Sequence, residues 1–109
     1  TEWRRSVVVV ATEFGRTVRR NGTGGTDHGT GSVAMLAGGA VAGGRVHGDW
    51  PGLAPEKLFQ GRDLAPATDM RALFKGVLAA HLGIERSGLE RTVFPGSEGI
   101  RPLDGLVRA

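Results

Sequence analysis

Residues 15–32 read GRTVRRNGTGGTDHGTGS, with Gly22, Gly24, Gly25, Gly29 and Gly31 packed into ten positions. Glycine loses more backbone entropy on ordering than any other residue, so a stretch of this texture does not hold a helix. It has no apolar alternation to bury as a strand either, which leaves a long loop. Glycine still has a use there, because it accepts positive φ and lets backbones approach closely. Apolar runs bracket the loop. Residues 6–11, SVVVVA, form a continuous β-branched run that suits a strand buried on both faces, as in a parallel sheet covered by helices. Residues 33–37, VAMLA, read as a second short strand, and GGAVAGGRVHG after it as a turn with a brief strand over residues 45–47.

Beyond Asp49 the texture changes. Pro51, Pro55 and Pro66 break a surface excursion with short hairpin-like strands expected around residues 57–59 and 63–65. Residues 69–82 carry the clearest helical pattern, with Met70, Leu73, Phe74, Val77, Leu78 and Leu82 at the three- and four-residue steps of one face. Thr68 or Asp69 can cap its start and Gly83 its end. Residues 85–93 predict a shorter helix, and the tail keeps one apolar patch, residues 103–107. The order strand, long loop, strand, excursion, helix gives an α/β chain: a partial layered sheet with one main amphipathic helix.

Two strands do not make a stable sheet alone, so the remaining strands are expected from the excursion, from further chain or from a second copy. The chain opens on Thr1 and reaches its first strand almost at once. The expectation is therefore that residues 1–109 are either a single domain or the C-terminal fragment of a longer α/β domain. An unpaired edge on the first strand would favour self-association as a dimer.

Composition narrows the chemistry. A chain of 109 residues with 39% hydrophobic and 23% charged residues can bury one core. It contains no cysteine, which removes disulfides and thiolate metal sites and leaves nitrogen and oxygen ligands. No stretch approaches the roughly 18–20 apolar residues of a membrane span, so no membrane partner is expected. The net charge of +3 comes from arginine, with Arg4, Arg5, Arg16, Arg19 and Arg20 crowded near the start. Such a face can contact phosphates, but only Trp3 and Phe14 lie among these arginines. A stacking platform for nucleic acid is thus poorly supplied, and a small anionic substrate suits the charge better.

Ligands of open α/β sheets bind beyond the carboxyl ends of strands. Glu13 stands there, just past the first apolar run, and Asp27 and His28 add a carboxylate and an imidazole from the loop. These donor types suit a divalent metal, zinc or manganese. Arg16 can orient an anionic group, and His47 is a further ligand or proton donor. Competing readings stand beside these: an ion pair of Glu13 with Arg16, and a turn closed by Asp27. His81, on the helix flank, is read as structural. Thr12, Thr26 and Thr30 are hydroxyls that no spacing marks as nucleophiles.

The segments VVVVATEFGRT, NGTGGTDHG and VAMLAGGAVAGGRVHG, in that order and followed by a helix, resemble the C-terminal part of the alkaline phosphatase and sulfatase superfamily. Within it the chain is most similar to an uncharacterised sulfatase-like family, a domain of unknown function often exported by the twin-arginine route. That resemblance implies a bacterial periplasmic or secreted location and metal-dependent hydrolysis of phosphate or sulfate esters. In such enzymes a strand ends in Asp-His, both of which bind one metal of a pair, and a later histidine before another strand binds the second. Glu13 stands at the Asp position, Phe14 at the adjacent His position and His28 at the later one. Phe14 cannot ligate, so one metal site is lost or rebuilt, with Asp27 as the substitute. The nucleophile of the superfamily lies upstream, which makes this chain catalytically incomplete alone. The alternative is a non-enzymatic metal- or anion-binding module that oligomerises.

Overall fold

The structure, a computed structural model, describes residues 1–108. It is mixed α/β and divides into two compact units. Unit 1 comprises Thr1–Val8, Leu36–Val46 and the chain from Asp69, and unit 2 comprises Val9–Met35 and His47–Thr68. Strand β1 (Val8–Val10) pairs with β4 (Met35–Ala37), and β2 (Gly15–Arg16) pairs antiparallel with β3 (His28–Gly29).

The strands are shorter than the apolar runs predict. The parallel, doubly covered sheet expected for residues 6–11 is not what forms, for Val8 and Val10 are 45% and 48% exposed. A strand buries both faces only between two layers, and β1 has a single partner strand. The brief strand expected at residues 45–47 is absent, and Val46 is fully exposed. The excursion does turn back on itself, through a bridge between Phe59 and Asp63 after a short 3₁₀ turn at Pro55–Lys57.

Unit 1 is organised by α1 (Met70–Leu82). Asp69 caps its start, its carboxylate accepting from the Arg71 amide at 2.9 Å. Gly83 ends it at φ 68°, and the amide of Ile84 reaches back to the Leu78 carbonyl. The buried face is rotated from the one the leucine pattern predicts: Ala72, Lys75, Gly76 and Val77 are inside, whereas Met70 and Leu82 are exposed. The reason lies in the tail. It crosses so close to α1 that a Cβ on Gly76 would overlap the Leu103 carbonyl oxygen, and the Leu103 amide donates to the Ala72 carbonyl. Lys75 is fully buried and donates from Nζ to the carbonyls of Ser97 (2.6 Å) and Ile100 (2.9 Å).

The second helix, α2 (Arg86–Gly88), runs into a π turn at Leu89–Val93, and Leu89 is fully buried. Phe94 lies beside Phe74, with ring centroids 6.2 Å apart. Leu106 buries the tail's apolar patch, and Val107 bridges to Val41.

Candidate functional site

The glycine-rich segment belongs to unit 2 and is more ordered than a plain loop. It doubles back as the β2–β3 pair, with Arg16 opposite His28 and Gly15 opposite Gly29. A Cβ on Gly15 would clash with the Gly31 carbonyl oxygen, and one on Gly31 with the Leu64 carbonyl oxygen. Backbone therefore packs directly on backbone, and only glycine leaves the room. The Gly31 amide donates to the Leu64 carbonyl at 3.1 Å, and the Val18 amide to that of Arg62. The excursion thus forms the floor under the loop.

Asp63 is the pivot of that floor. Its side chain is 1% exposed. It accepts from Thr30 Oγ1 at 2.8 Å and Arg62 Nε at 2.8 Å, while its backbone bridges to Thr17. The Arg62 guanidinium first, and then the Thr30 hydroxyl, hold the Asp63 carboxyl below the usual aspartate range, against the opposing effect of burial.

The loop tip is closed by Asn21. Its Oδ1 accepts from the amides of Thr23 and Gly25, and its Nδ2 donates to Asp27 Oδ1 at 3.0 Å. Asp27 also exchanges hydrogen bonds with Thr17, its amide meeting Thr17 Oγ1 and its carbonyl the Thr17 amide. The Asp27 side chain thus serves the turn that Asn21 closes, rather than capping one through its own backbone.

Phe14, Arg16 and His28 share a surface. Phe14 and Arg16 stand two residues apart, and Arg16 faces His28 across the ladder. The Phe14 and His28 rings stack with centroids 4.3 Å apart and planes at 23°. The Arg16 guanidinium lies 5.9 Å from the Phe14 centroid and anchors Nη1 on the Thr26 carbonyl at 2.9 Å. One cation and one imidazole thus flank an aromatic ring, and the exposed Arg16 makes no other side-chain hydrogen bond among the described residues.

Glu13 is exposed at the end of this surface, and among the described residues neither a hydrogen bond nor an ion pair joins it to Arg16. His47 lies exposed in irregular chain, and His81 is half-buried on α1. Among the described residues no three His, Asp or Glu side chains come together as a metal-binding group. Sequence reasoning missed Asp63 and Asn21. Asn-Gly is a turn signal that could have marked Asn21. Asp63 has no such mark, since its partners Thr30 and Thr17 are remote in sequence.

The family model described as "Protein of unknown function (DUF1501)" matches residues 1–93. No curated protein and no solved structure matches the chain.

Proposed function

The chain belongs to the family of unknown function DUF1501, and from that premise we propose that it carries part of the anion and metal site of a sulfatase- or phosphatase-like hydrolase. The observation that carries the reading is the shared surface of Phe14, Arg16 and His28 at the β2–β3 pair. A guanidinium pinned through one nitrogen keeps its others for a bidentate contact with a phosphoryl or sulfuryl group. His28, oriented by its stack on Phe14, supplies a second donor or a metal ligand on the same side. Phe14 thus occupies the place of a ligand and orients one instead.

Glu13 and His28 are donors of the kind zinc or manganese takes, and Asp27 already serves Asn21. Two donors do not close a site, so a metal here requires ligands from other residues, as does the nucleophile. Such a metal would supply Lewis-acid polarisation of the ester oxygen. The alkaline phosphatase-like sheet is part of the same proposal: β1 and β4 would be the visible end of a larger sheet.

Calorimetric titration of Zn²⁺ and Mn²⁺ into the metal-free chain tests this, alongside turnover of 4-nitrophenyl phosphate and sulfate. Weak metal uptake and no turnover are expected from these residues alone. A stoichiometric site lost in His28→Ala would instead support a second reading, a self-associating non-enzymatic metal- or anion-binding module. The exposed Val10 and Met35 side chains on β1 and β4 favour that alternative, and solution scattering would reveal the dimer it requires.

A further inference from the structure

Unit 1 contains an open groove of about 630 Å³ whose lining includes Arg4, Arg5, Gly39, His81, Val107 and Arg108, with no carboxylate among its described lining residues. The lining thus brings three arginines together with no acidic residue among its described members, a surplus of positive charge that an anion held between them would offset. Their backbones are fixed in place. Arg4 and Arg5 ride on a 3₁₀ turn, Trp3–Arg5, closed by the Ser6 amide on the Trp3 carbonyl. The Gly39 amide ties to that same carbonyl at 2.9 Å, and a Cβ on Gly39 would meet Arg4 Cα and the Trp3 oxygen. On the other side, the Arg108 amide donates to the Ala40 carbonyl at 2.8 Å. Residues 39 and 40 therefore fasten both arginine-bearing segments.

The side chains still have donors to give. Arg108 spends Nε on the Val41 carbonyl at 2.9 Å, which fixes the guanidinium plane and leaves both Nη groups free of hydrogen bonds among the described residues. Arg5 holds Glu2 through Nη2 in a solvent-exposed pair, which is a weak tie. Arg4 has no side-chain hydrogen bond or ion pair among the described residues.

We propose that this groove binds a tetrahedral oxyanion, phosphate or sulfate, either free or as the headgroup of a monoester. Convergent guanidiniums recognise such a group through paired N–H donors. The assignment is independent of Arg16 and His28, which belong to unit 2. Arg19 and Arg20 lie outside the lining, so the groove gathers its cations around one small group rather than along a polymer.

Amide NMR of the chain titrated with sodium phosphate or sodium sulfate, against chloride at matched ionic strength, tests the proposal. Saturable shifts are expected at the amides of Gly39, Ala40 and Ala80. Arg4→Gln and Arg108→Gln should each weaken binding about tenfold or more, and Arg20→Gln, outside the lining, should leave it unchanged. Phenyl phosphate in place of phosphate separates the sources: tighter binding assigns the groove to a monoester headgroup, equal or weaker binding to the free anion. Unmoved amides in a protein shown folded by circular dichroism would overturn the proposal. So would binding that Arg4→Gln leaves intact, or shifts produced by an oligonucleotide alone. Arg4→Gln removes no side-chain hydrogen bond or ion pair among the described residues, and circular dichroism of the variant separates lost binding from lost folding.

Discussion

The two units are held together by different means. Unit 1 follows the familiar logic of an amphipathic helix, whose buried face is sealed by side chains: Val77 and Ala72 on α1, Leu89 from the π turn, Leu106 from the tail, and the Lys75 clamp. Unit 2 has little apolar core, with Leu58 as its buried hydrophobic residue. Its segments are joined by backbone packed on backbone at Gly15, Gly29 and Gly31, and by one buried carboxylate at Asp63. A side-chain core tolerates repacking, because neighbouring rotamers can shift. A backbone contact has nothing to move aside. The glycine-rich segment is the less tolerant of the two to substitution, although composition alone marks it as the more permissive.

The largest effect is therefore expected in unit 2. Gly15→Ala places a Cβ on the Gly31 carbonyl and should cost about 3 kcal/mol or more in the stability of that unit. Gly22→Ala, where an added Cβ meets nothing, should be close to neutral. Amide exchange at Gly31, whose proton is held by Leu64, reads the difference. If Gly15→Ala left that amide protected, backbone packing would not be what holds unit 2.

The corresponding cut in unit 1 is Lys75→Ala. It strips the carbonyls of Ser97 and Ile100 of a charged donor and opens a void beside α1, for a loss of about 2–3 kcal/mol in chemical denaturation. Lys75→Met keeps most of the stem's volume and loses only the ammonium. Equal losses in the two variants would assign the effect to the hydrogen bonds, whereas a near-neutral Lys75→Met would make the site a matter of packing.

The same contrast explains what could be read from the sequence. Helix α1 was legible to its caps, because Asp69, the 3.6-residue pattern and Gly83 are all local signals. Its inner face was not, since the tail that buries Lys75 and Gly76 arrives more than twenty residues later. For the glycine segment, residue types identified a loop and its candidate polar groups. The β2–β3 register and the stack of Phe14 on His28 depend on contacts with the excursion and across the turn, which no periodicity encodes. The strands were over-read because β-branched runs report a propensity, whereas burial requires neighbours that β1 does not have within the described chain.

The smallest global effect, and the sharpest local one, concerns Asp63. Its carboxyl is held below the usual aspartate range by Arg62 and Thr30, so the folded unit favours the ionised form. A carboxyl depressed on folding contributes its full stabilisation above the unfolded value, roughly pH 4. That contribution is lost as pH falls through the folded value. Exchange at Gly31, next in sequence to Thr30, should accelerate below about pH 4 beyond the intrinsic rate. The first turn of α1 has its own acid step through its cap Asp69, which Arg71 also holds below the usual range, so the reference is the same amide in Asp63→Asn. Asp63→Asn keeps the side chain's size but has no charge to lose, so Gly31 should already be less protected at neutral pH and show no extra acid step. An acid step that survived in Asp63→Asn would place the titrating group elsewhere and remove Asp63 from its role as the pivot of the loop.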